Sequence, residues 1–321
     1  MAYTRKASAS QINMYNACPY KWFLRYKRGV KEPTNLSMTK GSMIHSIIEE
    51  FYKLNPKNCG ITLRNYKTAF PEYSMDVFDK VLIMPRTYFG KDLPTYDEEL
   101  KALCKDDFEY VKEIIDVKNM VRNYMQLFLM QFEQYARKSE YFTQTWYTMR
   151  LKFSELELNT DNFIGYADAI IEKDGRLIIN DWKTSSYYRI GYSEEYELQL
   201  KLYAAKYAEL HGAIPDFGAI TFVRVGMQCL YPINKETVVD EANKIISEFL
   251  SKTESDDEND YPRNYQHQFC TCNMSKNKDK DWCFYQNICN EDILNKREEF
   301  NDNNKQHKLQ YPISTSAPCT I

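Results

Sequence analysis

The feature that most constrains this chain is a pair of alternating apolar segments joined by Asp174 and Gly175. The first segment spans residues 163–172, and the second spans residues 177–182. An Asp-Gly pair between two such segments is a strong signal for a tight β-hairpin, because these residues adopt positive φ at low cost. The sequence therefore predicts two antiparallel strands here, and a fold built around a sheet.

Segments on either side of this hairpin predict helices packed on a mixed sheet. Helical spacing of apolar residues predicts helices over 41–54, 107–138, 194–210 and 235–250. Alternation predicts further strands over 145–153, 217–225 and 228–233. A helix, three strands, a helix and more strands are typical of an α/β fold with a mixed sheet.

Composition excludes several classes of protein. The chain is 43% apolar and 27% charged with a net charge of -3, which is the usual balance of a soluble globular protein. No run approaches the roughly 18 apolar residues of a membrane span, and the N-terminal residues carry no apolar signal segment. No phosphate-binding glycine motif is present, so we expect no nucleotide cofactor. We expect a protein of the cytoplasm, or of the host cytoplasm if the source is viral, without a membrane partner.

Charged side chains mark the ends of the two hairpin strands. Asp181 and Lys183 share one face of the second strand because side chains alternate, and the hairpin brings Asp168 alongside them. Two carboxylates and an ammonium group at one point suit a divalent cation, Mg²⁺ or Mn²⁺. The lysine can then position a water or stabilise charge at a phosphodiester. The alternative is a pair of exposed strand-end acids with an ion-paired lysine.

Four motifs in order resemble a known family. They are Gly41-Ser42-Met43-Ile44-His45, Gly165-x-x-Asp168, Asp181-Trp182-Lys183-Thr184 and Gln199-x-x-x-Tyr203. In this order they resemble the PD-(D/E)xK nuclease superfamily, and in particular its RecB-like exonuclease branch. The resemblance implies a restriction-endonuclease-like core that hydrolyses phosphodiester bonds.

The resemblance also assigns roles to residues of this chain. Asp168, Asp181 and Lys183 would be catalytic, with Lys183 acting on the attacking water. The implied metal ligands are His45, Asp168, Asp181 and the backbone carbonyl of Trp182. Gln199 and Tyr203 would contact DNA near the catalytic centre.

The first 31 residues are basic and aromatic. They contain seven Lys and Arg residues and no acid, with aromatic residues interleaved. Phosphates on the cations and bases on the rings would suit a strand of DNA, with Arg25, Lys27 and Arg28 as contacts. The alternative is an amphipathic helix with a solvated basic face and an aromatic core face. The acidic run 254–260 is expected to be a solvated linker.

Cysteines are clustered late in the chain, which in a cytosolic protein indicates metal ligation before disulfides. Four of the nine lie at Cys270, Cys272, Cys283 and Cys289, and Cys18 lies before the histidine motif. The RecB-like resemblance implies a [4Fe–4S] cluster held by Cys18, Cys272 (or Cys270), Cys283 and Cys289. Zn²⁺ held by the four late cysteines is the alternative.

These patterns divide the chain into five parts. They are N-terminal helices over 1–55, a helical insertion over 56–144, the nuclease core over 145–252, an acidic linker and cysteine module over 253–292, and a polar tail over 293–321.

The expected function is that of a metal-dependent DNA exonuclease in recombination, repair or replication, acting on single strands or duplex ends. A structure-specific endonuclease of the same fold is one alternative. A non-catalytic DNA-binding subunit of a nuclease–helicase assembly is another. The chain carries no motor motif, so a helicase would come from a partner.

Overall fold

A computed structural model of the protein describes residues 5–88, 90–185, 190–264 and 283–289. The chain forms two compact units, of which the larger comprises Met1–Asn13 with Pro33–Glu254, and the smaller comprises Met14–Glu32 with Ser255–Ile321. No helix in the described ranges combines the length and the apolar character that a membrane crossing requires.

The helices and strands follow one another in a mixed order. They are α1 (Ala9–Ala17), α2 (Pro19–Tyr26), α3 (Leu36–Tyr52), α4 (Tyr66–Ile83), β1 (Arg86–Tyr88), β2 (Lys91–Leu93), α5 (Tyr96–Leu103), α6 (Asp107–Ala136), α7 (Phe142–Met149), β3 (Phe153–Asn159), β4 (Ile164–Lys173), β5 (Arg176–Lys183), α8 (Ile190–His211), β6 (Phe217–Phe222), β7 (Met227–Pro232) and α9 (Val238–Lys252).

A five-stranded mixed sheet organises the larger unit. Its strand order is β3-β4-β5-β6-β7, and β1 pairs separately with β2. Neighbouring strands of the main sheet are antiparallel, except that β5 and β6 are parallel. Parallel neighbours need a crossover connection, and α8 lies in the segment between these two strands. The structure confirms the predicted α/β class with a mixed sheet and flanking helices.

The hairpin between β4 and β5 has the predicted turn. Asp174 has φ of 50° and Gly175 has φ of 73°. Positive φ at both central residues is the requirement of the two-residue hairpin turn that matches the twist of the strands. Lys173 pairs with Arg176 directly across the turn. The turn therefore fixes the register that places the charged strand ends.

The predicted strand over 145–153 is wrong. The chain forms helix α7 there, and strand β3 begins only at Phe153. The buried residues of α7 are Phe142, Thr145, Trp146 and Met149. These positions recur at the helical spacing of three and four residues, so the alternation that suggested a strand covered only part of the pattern.

Helices α3, α4, α6 and α7 share an aromatic core, and α3 packs on the sheet. Rings from α3, α4, α6 and α7 meet in this core, and they include Phe51, Phe70, Phe128, Phe132 and Trp146. A second cluster joins the sheet residues Ala169 and Trp182 to Ile44 and Ile47 of α3. Because these two isoleucines flank His45, their burial holds this part of α3 against the sheet.

The smaller unit buries the aromatic residues of α2. Tyr20, Trp22 and Phe23 are each at most 5% exposed, and Trp22 stacks on Tyr261 with ring centroids 5.5 Å apart. The helix therefore has an aromatic core face, as in the amphipathic alternative. Buried rings are closed to bases, so the idea that these three stack on DNA is wrong for the structure as described.

Candidate metal centre and active site

The two acids of the hairpin lie on neighbouring strands. Asp168 is 7% exposed and Asp181 is 3% exposed. Ala169 pairs with Asn180, so Asp168 and Asp181 are the next residues along β4 and β5. At this point the ladder of paired residues ends, and the Trp182 N–H donates to Asp168 Oδ2 at 2.7 Å. The structure thus brings together the two carboxylates that the sequence predicts for the site.

Lys183 and Gln199 hold the Asp181 carboxylate from two sides. Lys183 Nζ lies 2.7 Å from Asp181 Oδ2 and 3.2 Å from Gln199 Oε1. Gln199 Nε2 donates to Asp181 Oδ1 at 2.7 Å and lies 3.2 Å from the Tyr203 hydroxyl. The i,i+4 spacing on α8 places the Gln199 and Tyr203 side chains on one helical face, as predicted. In the structure Gln199, on this face, contacts the Asp181 carboxylate and the Lys183 ammonium.

His45 projects from α3 toward the same point. Its Nε2 lies 3.0 Å from the Trp182 carbonyl oxygen, and its Nδ1 lies 3.5 Å from Asp168 Oδ1. The ring therefore stands between the strand backbone and a carboxylate. The structure brings the predicted imidazole and the predicted backbone carbonyl into contact.

Glu155 on β3 completes the group, and the sequence analysis missed it. Its Oε1 lies 3.7 Å from His45 Nδ1. His45, Glu155 and Asp168 each offer a ligand atom, and these atoms lie within 4.8 Å of one another. Register could have revealed Glu155, since it lies 13 residues before Asp168, as Asp168 lies 13 before Asp181. The strand predicted over 145–153 ended before this residue.

The charges of the site shift the pKa of its members. Burial, with the charge of Asp181, raises the pKa of the Asp168 carboxyl to about 7. Burial alone would lower the pKa of His45, but the Glu155, Asp168 and Asp181 carboxylates raise it to about 9. Burial by itself would lower the pKa of Lys183. The charge of the Asp181 carboxylate and its hydrogen bond with Lys183 act in the opposite direction, and the Lys183 pKa is raised. The site therefore concentrates negative charge and draws protons to balance it.

The donor set fits a hard divalent cation. The carboxylate oxygens and the backbone carbonyl suit Mg²⁺ or Mn²⁺, and the imidazole adds one nitrogen ligand. Asp168 and Asp181 lie side by side on neighbouring strands, so each carboxylate disfavours the ionised form of the other. A bound cation would relieve this repulsion. Among the described residues, His45, Glu155 and Asp168 form a group whose ligand atoms lie close enough together to hold an ion.

The predicted basic DNA contacts lie in the smaller unit and carry acidic partners. Lys27 Nζ lies 2.5 Å from Asp256 Oδ1, and Arg28 Nη2 lies 2.8 Å from Glu258 Oε2. Arg25 lies 3.8 Å from Glu32. Two acids of the run expected to form a solvated linker therefore neutralise cations near the N-terminus. A role for these three cations on DNA stays a prediction.

The predicted cluster ligands are described in part. Cys18 occupies the N-cap position of α2 without a capping hydrogen bond from its side chain, and Cys289 is 5% exposed with its Sγ 3.2 Å from Arg263 Nε. Burial raises the pKa of the Cys18 thiol, and the neighbouring Cys289 raises it further. Among the described residues, Cys18, Cys283 and Cys289 are not in disulfide bonds, and they form no group with metal-binding spacing. Cys270 and Cys272 lie outside the described residues.

A comparison with protein-family models identifies the class of protein. Residues 6–290 match the PD-(D/E)XK nuclease superfamily, and the chain belongs to this superfamily. No curated protein matches the chain. Enzymes of this superfamily are hydrolases that use divalent metals, and the fold implies a nucleic acid substrate. The match spans the sheet, the helical insertion and the candidate metal centre.

Proposed function

We propose that the protein is a metal-dependent DNA exonuclease of the RecB-like branch, acting on single strands or duplex ends. The observation that carries this proposal is the convergence of Asp168, Asp181 and Lys183 beside His45 at the end of the hairpin. DNA binding without catalysis does not require all of these groups at one point, so their convergence favours a nuclease over a non-catalytic member of the fold.

The cation would be held by His45, Asp168, Asp181 and the Trp182 carbonyl. A divalent cation at such a site polarises a phosphodiester and lowers the pKa of a bound water. Substrate DNA would bring its phosphate to this carboxylate end of the hairpin.

Lys183 would act on the attacking water or on the charge that develops at the phosphate. Its ammonium is anchored by the Asp181 carboxylate at 2.7 Å and by the Gln199 amide oxygen at 3.2 Å. Two anchors limit the positions that a flexible lysine can adopt, and this limitation keeps the ammonium directed at the substrate.

The test uses protein purified without oxygen and DNA labelled at the 5′ or the 3′ end. Linear and circular substrates are incubated with Mg²⁺, with Mn²⁺ or with a chelator. The proposal predicts metal-dependent shortening of linear DNA from one labelled end and no cutting of circles. Cutting of circles would replace it with the structure-specific endonuclease. Binding without cleavage in either metal would leave a DNA-binding subunit.

We further propose that Cys18, Cys272 (or Cys270), Cys283 and Cys289 hold a [4Fe–4S] cluster. Support comes from the Cys18 thiol, whose pKa is raised by burial and further by the charge of Cys289, 271 residues away in the sequence. The Arg263 N–H donated to the Cys289 sulfur would favour its thiolate form. Iron and acid-labile sulfide in protein purified without oxygen would support this cluster, whereas zinc without iron would assign the site to Zn²⁺.

The expected setting is DNA recombination, repair or replication in the cytoplasm, with a helicase as a possible source of unwound strands. Co-purification of the full chain with a motor protein tests this last point.

A further inference from the structure

The backbone of Glu155 is unusual for a strand residue. It has φ of 49° in the interior of β3, in the left-handed region that side chains with a Cβ rarely adopt. The register on either side is regular, since Ser154 pairs with Ala169 and Leu156 pairs with Ala167. The distortion is therefore confined to Glu155 and changes the direction of one side chain.

This position places Glu155 beside the metal centre. Regular pairing on both sides puts it opposite Asp168, in line with the next acid, Asp181, on β5. Like charges on directly opposite residues destabilise a sheet. The arrangement thus combines an unfavourable backbone with an unfavourable charge, and a position of this kind is common at functional sites.

The Glu155 carboxylate is directed at His45. Among the residues that the structure describes, the His45 ring is its charged partner, with Oε1 3.7 Å from Nδ1. The opposite nitrogen, Nε2, lies 3.0 Å from the Trp182 carbonyl, which is a proposed metal ligand. The two ring nitrogens therefore have different environments: Nδ1 faces the Glu155 and Asp168 carboxylates, and Nε2 faces the Trp182 carbonyl.

A histidine that binds a metal through one nitrogen usually donates the N–H of the other to a carboxylate or a carbonyl. Such hydrogen bonds are often long in a site without its ligands and shorten when the site is complete. Asp168 also lies near Nδ1, at 3.5 Å, but its carboxylate is a proposed metal ligand. Glu155 is the acceptor that remains for the Nδ1 proton once Asp168 binds the cation.

We propose that Glu155 is a positioning residue for His45: it accepts the Nδ1 proton and fixes the tautomer in which Nε2 binds the divalent cation. This inference rests on the proposed function. It adds a strand residue to the proposed metal centre, and it gives the distorted backbone of Glu155 a role.

The experiment measures Mn²⁺ binding by calorimetry at one fixed pH for wild type, Glu155→Gln and Glu155→Ala. Glutamine keeps an oxygen that accepts the Nδ1 proton, whereas alanine removes the acceptor. We expect alanine to weaken binding by about 10- to 100-fold and glutamine to restore most of the loss. Nitrogen NMR of the His45 ring with Mg²⁺ bound should show a single Nδ1-protonated tautomer in wild type and in Glu155→Gln, and a mixture in Glu155→Ala.

Glu157→Gln is the matched control, because it removes the same charge from the same strand. Wild-type affinity in Glu155→Ala would overturn the proposal. Equal losses in the glutamine and alanine variants would also overturn it, and would make Glu155 a direct ligand. Failure of the wild-type protein to bind Mn²⁺ would count instead against the proposed function.

Discussion

The side-chain amide of Gln199 contacts both Asp181 and Lys183. The family resemblance predicted that Gln199 contacts DNA. In the structure its NH₂ group donates to Asp181, and its oxygen lies 3.2 Å from Lys183 Nζ. This role depends on which way α8 faces the sheet, and no spacing within α8 gives that orientation. Contact with DNA stays a prediction for this residue.

Changing Gln199 to Ala should lower kcat by about 100-fold, because a small displacement of a catalytic group costs that much. We expect a small effect on KM, measured by steady-state cleavage of labelled DNA. Lys201→Ala is the matched control on the same helix, since its ammonium pairs with Glu241. A rise in KM with unchanged kcat would assign Gln199 to DNA contact alone.

Cation binding should depend on pH through His45 and Asp168. Their pKa values of about 9 and about 7 in the metal-free protein mean that both hold protons at low pH. A ligand must lose its proton to bind a metal, so affinity for Mn²⁺ should rise as pH increases through about 7 and on to about 9. At pH about 8 binding should release close to one proton, mostly from His45.

Calorimetry in buffers of different ionisation enthalpy counts this proton directly. His45→Ala is the control, and it should bind more weakly and release fewer protons. Binding without proton release by the wild-type protein at that pH would contradict the assignment of His45 as a ligand.

At the scale of elements, the hairpin was the most predictable part of the fold. Its turn residues and its two alternating segments carry local signals, and β4 and β5 follow them closely. The boundary between α7 and β3 was not predictable in the same way. Trp146 and Met149 pack in the aromatic core that α7 shares with other helices. This packing depends on the tertiary structure, so the local sequence pattern does not reveal it. Because the predicted strand ended at residue 153, the sequence analysis did not identify Glu155 as a site residue.

Close packing explains why residue 165, in the second motif, is a glycine. A Cβ on Gly165 would lie 2.9 Å from ring atoms of both Phe163 and Tyr203. Tyr203 in turn lies 3.2 Å from Gln199 Nε2. The bare backbone of this glycine therefore allows α8 to approach β4, which brings Gln199 to the site.

Gly165→Ala should destabilise the protein by about 1–3 kcal/mol, since overpacking forces neighbouring rings to move. Urea unfolding measures the free energy, and DNA cleavage should fall in parallel as Tyr203 shifts. Gly175→Asn is the control, because its φ of 73° suits asparagine and nothing lies within 4 Å of its added Cβ. Unchanged stability of Gly165→Ala would show that the rings have room.

At the scale of the whole molecule, the smaller unit combines segments from both ends of the chain. Lys27 and Asp256 are separated by 229 residues, yet they form an ion pair. From sequence, the acidic run was expected to be a solvated linker, and the basic run was expected to contact DNA or to form a solvated helix face. Charge patterns report local composition and carry no information on distant partners. The family motifs, in contrast, gave the order of the site residues from His45 to Tyr203.

If Cys289 is a cluster ligand, Cys289→Ser should lower the iron content of the protein and speed up hydrogen exchange in the smaller unit. Iron content and hydrogen exchange over residues 14–32 measure the two effects. Cys229→Ser is the matched control, because it changes a free thiol of the larger unit. Full iron content in the Cys289→Ser protein would remove this cysteine from the ligand set.

We propose above that the hairpin carboxylates hold a divalent cation and that the protein hydrolyses DNA there. The most direct measurement is cleavage of end-labelled linear DNA, in Mg²⁺ and in Mn²⁺, by wild-type protein and by Asp181→Asn, with thermal unfolding of both. We expect the substitution to leave the protein folded and to lower cleavage by about 100-fold or more. Cleavage at the wild-type rate by folded Asp181→Asn protein would contradict it.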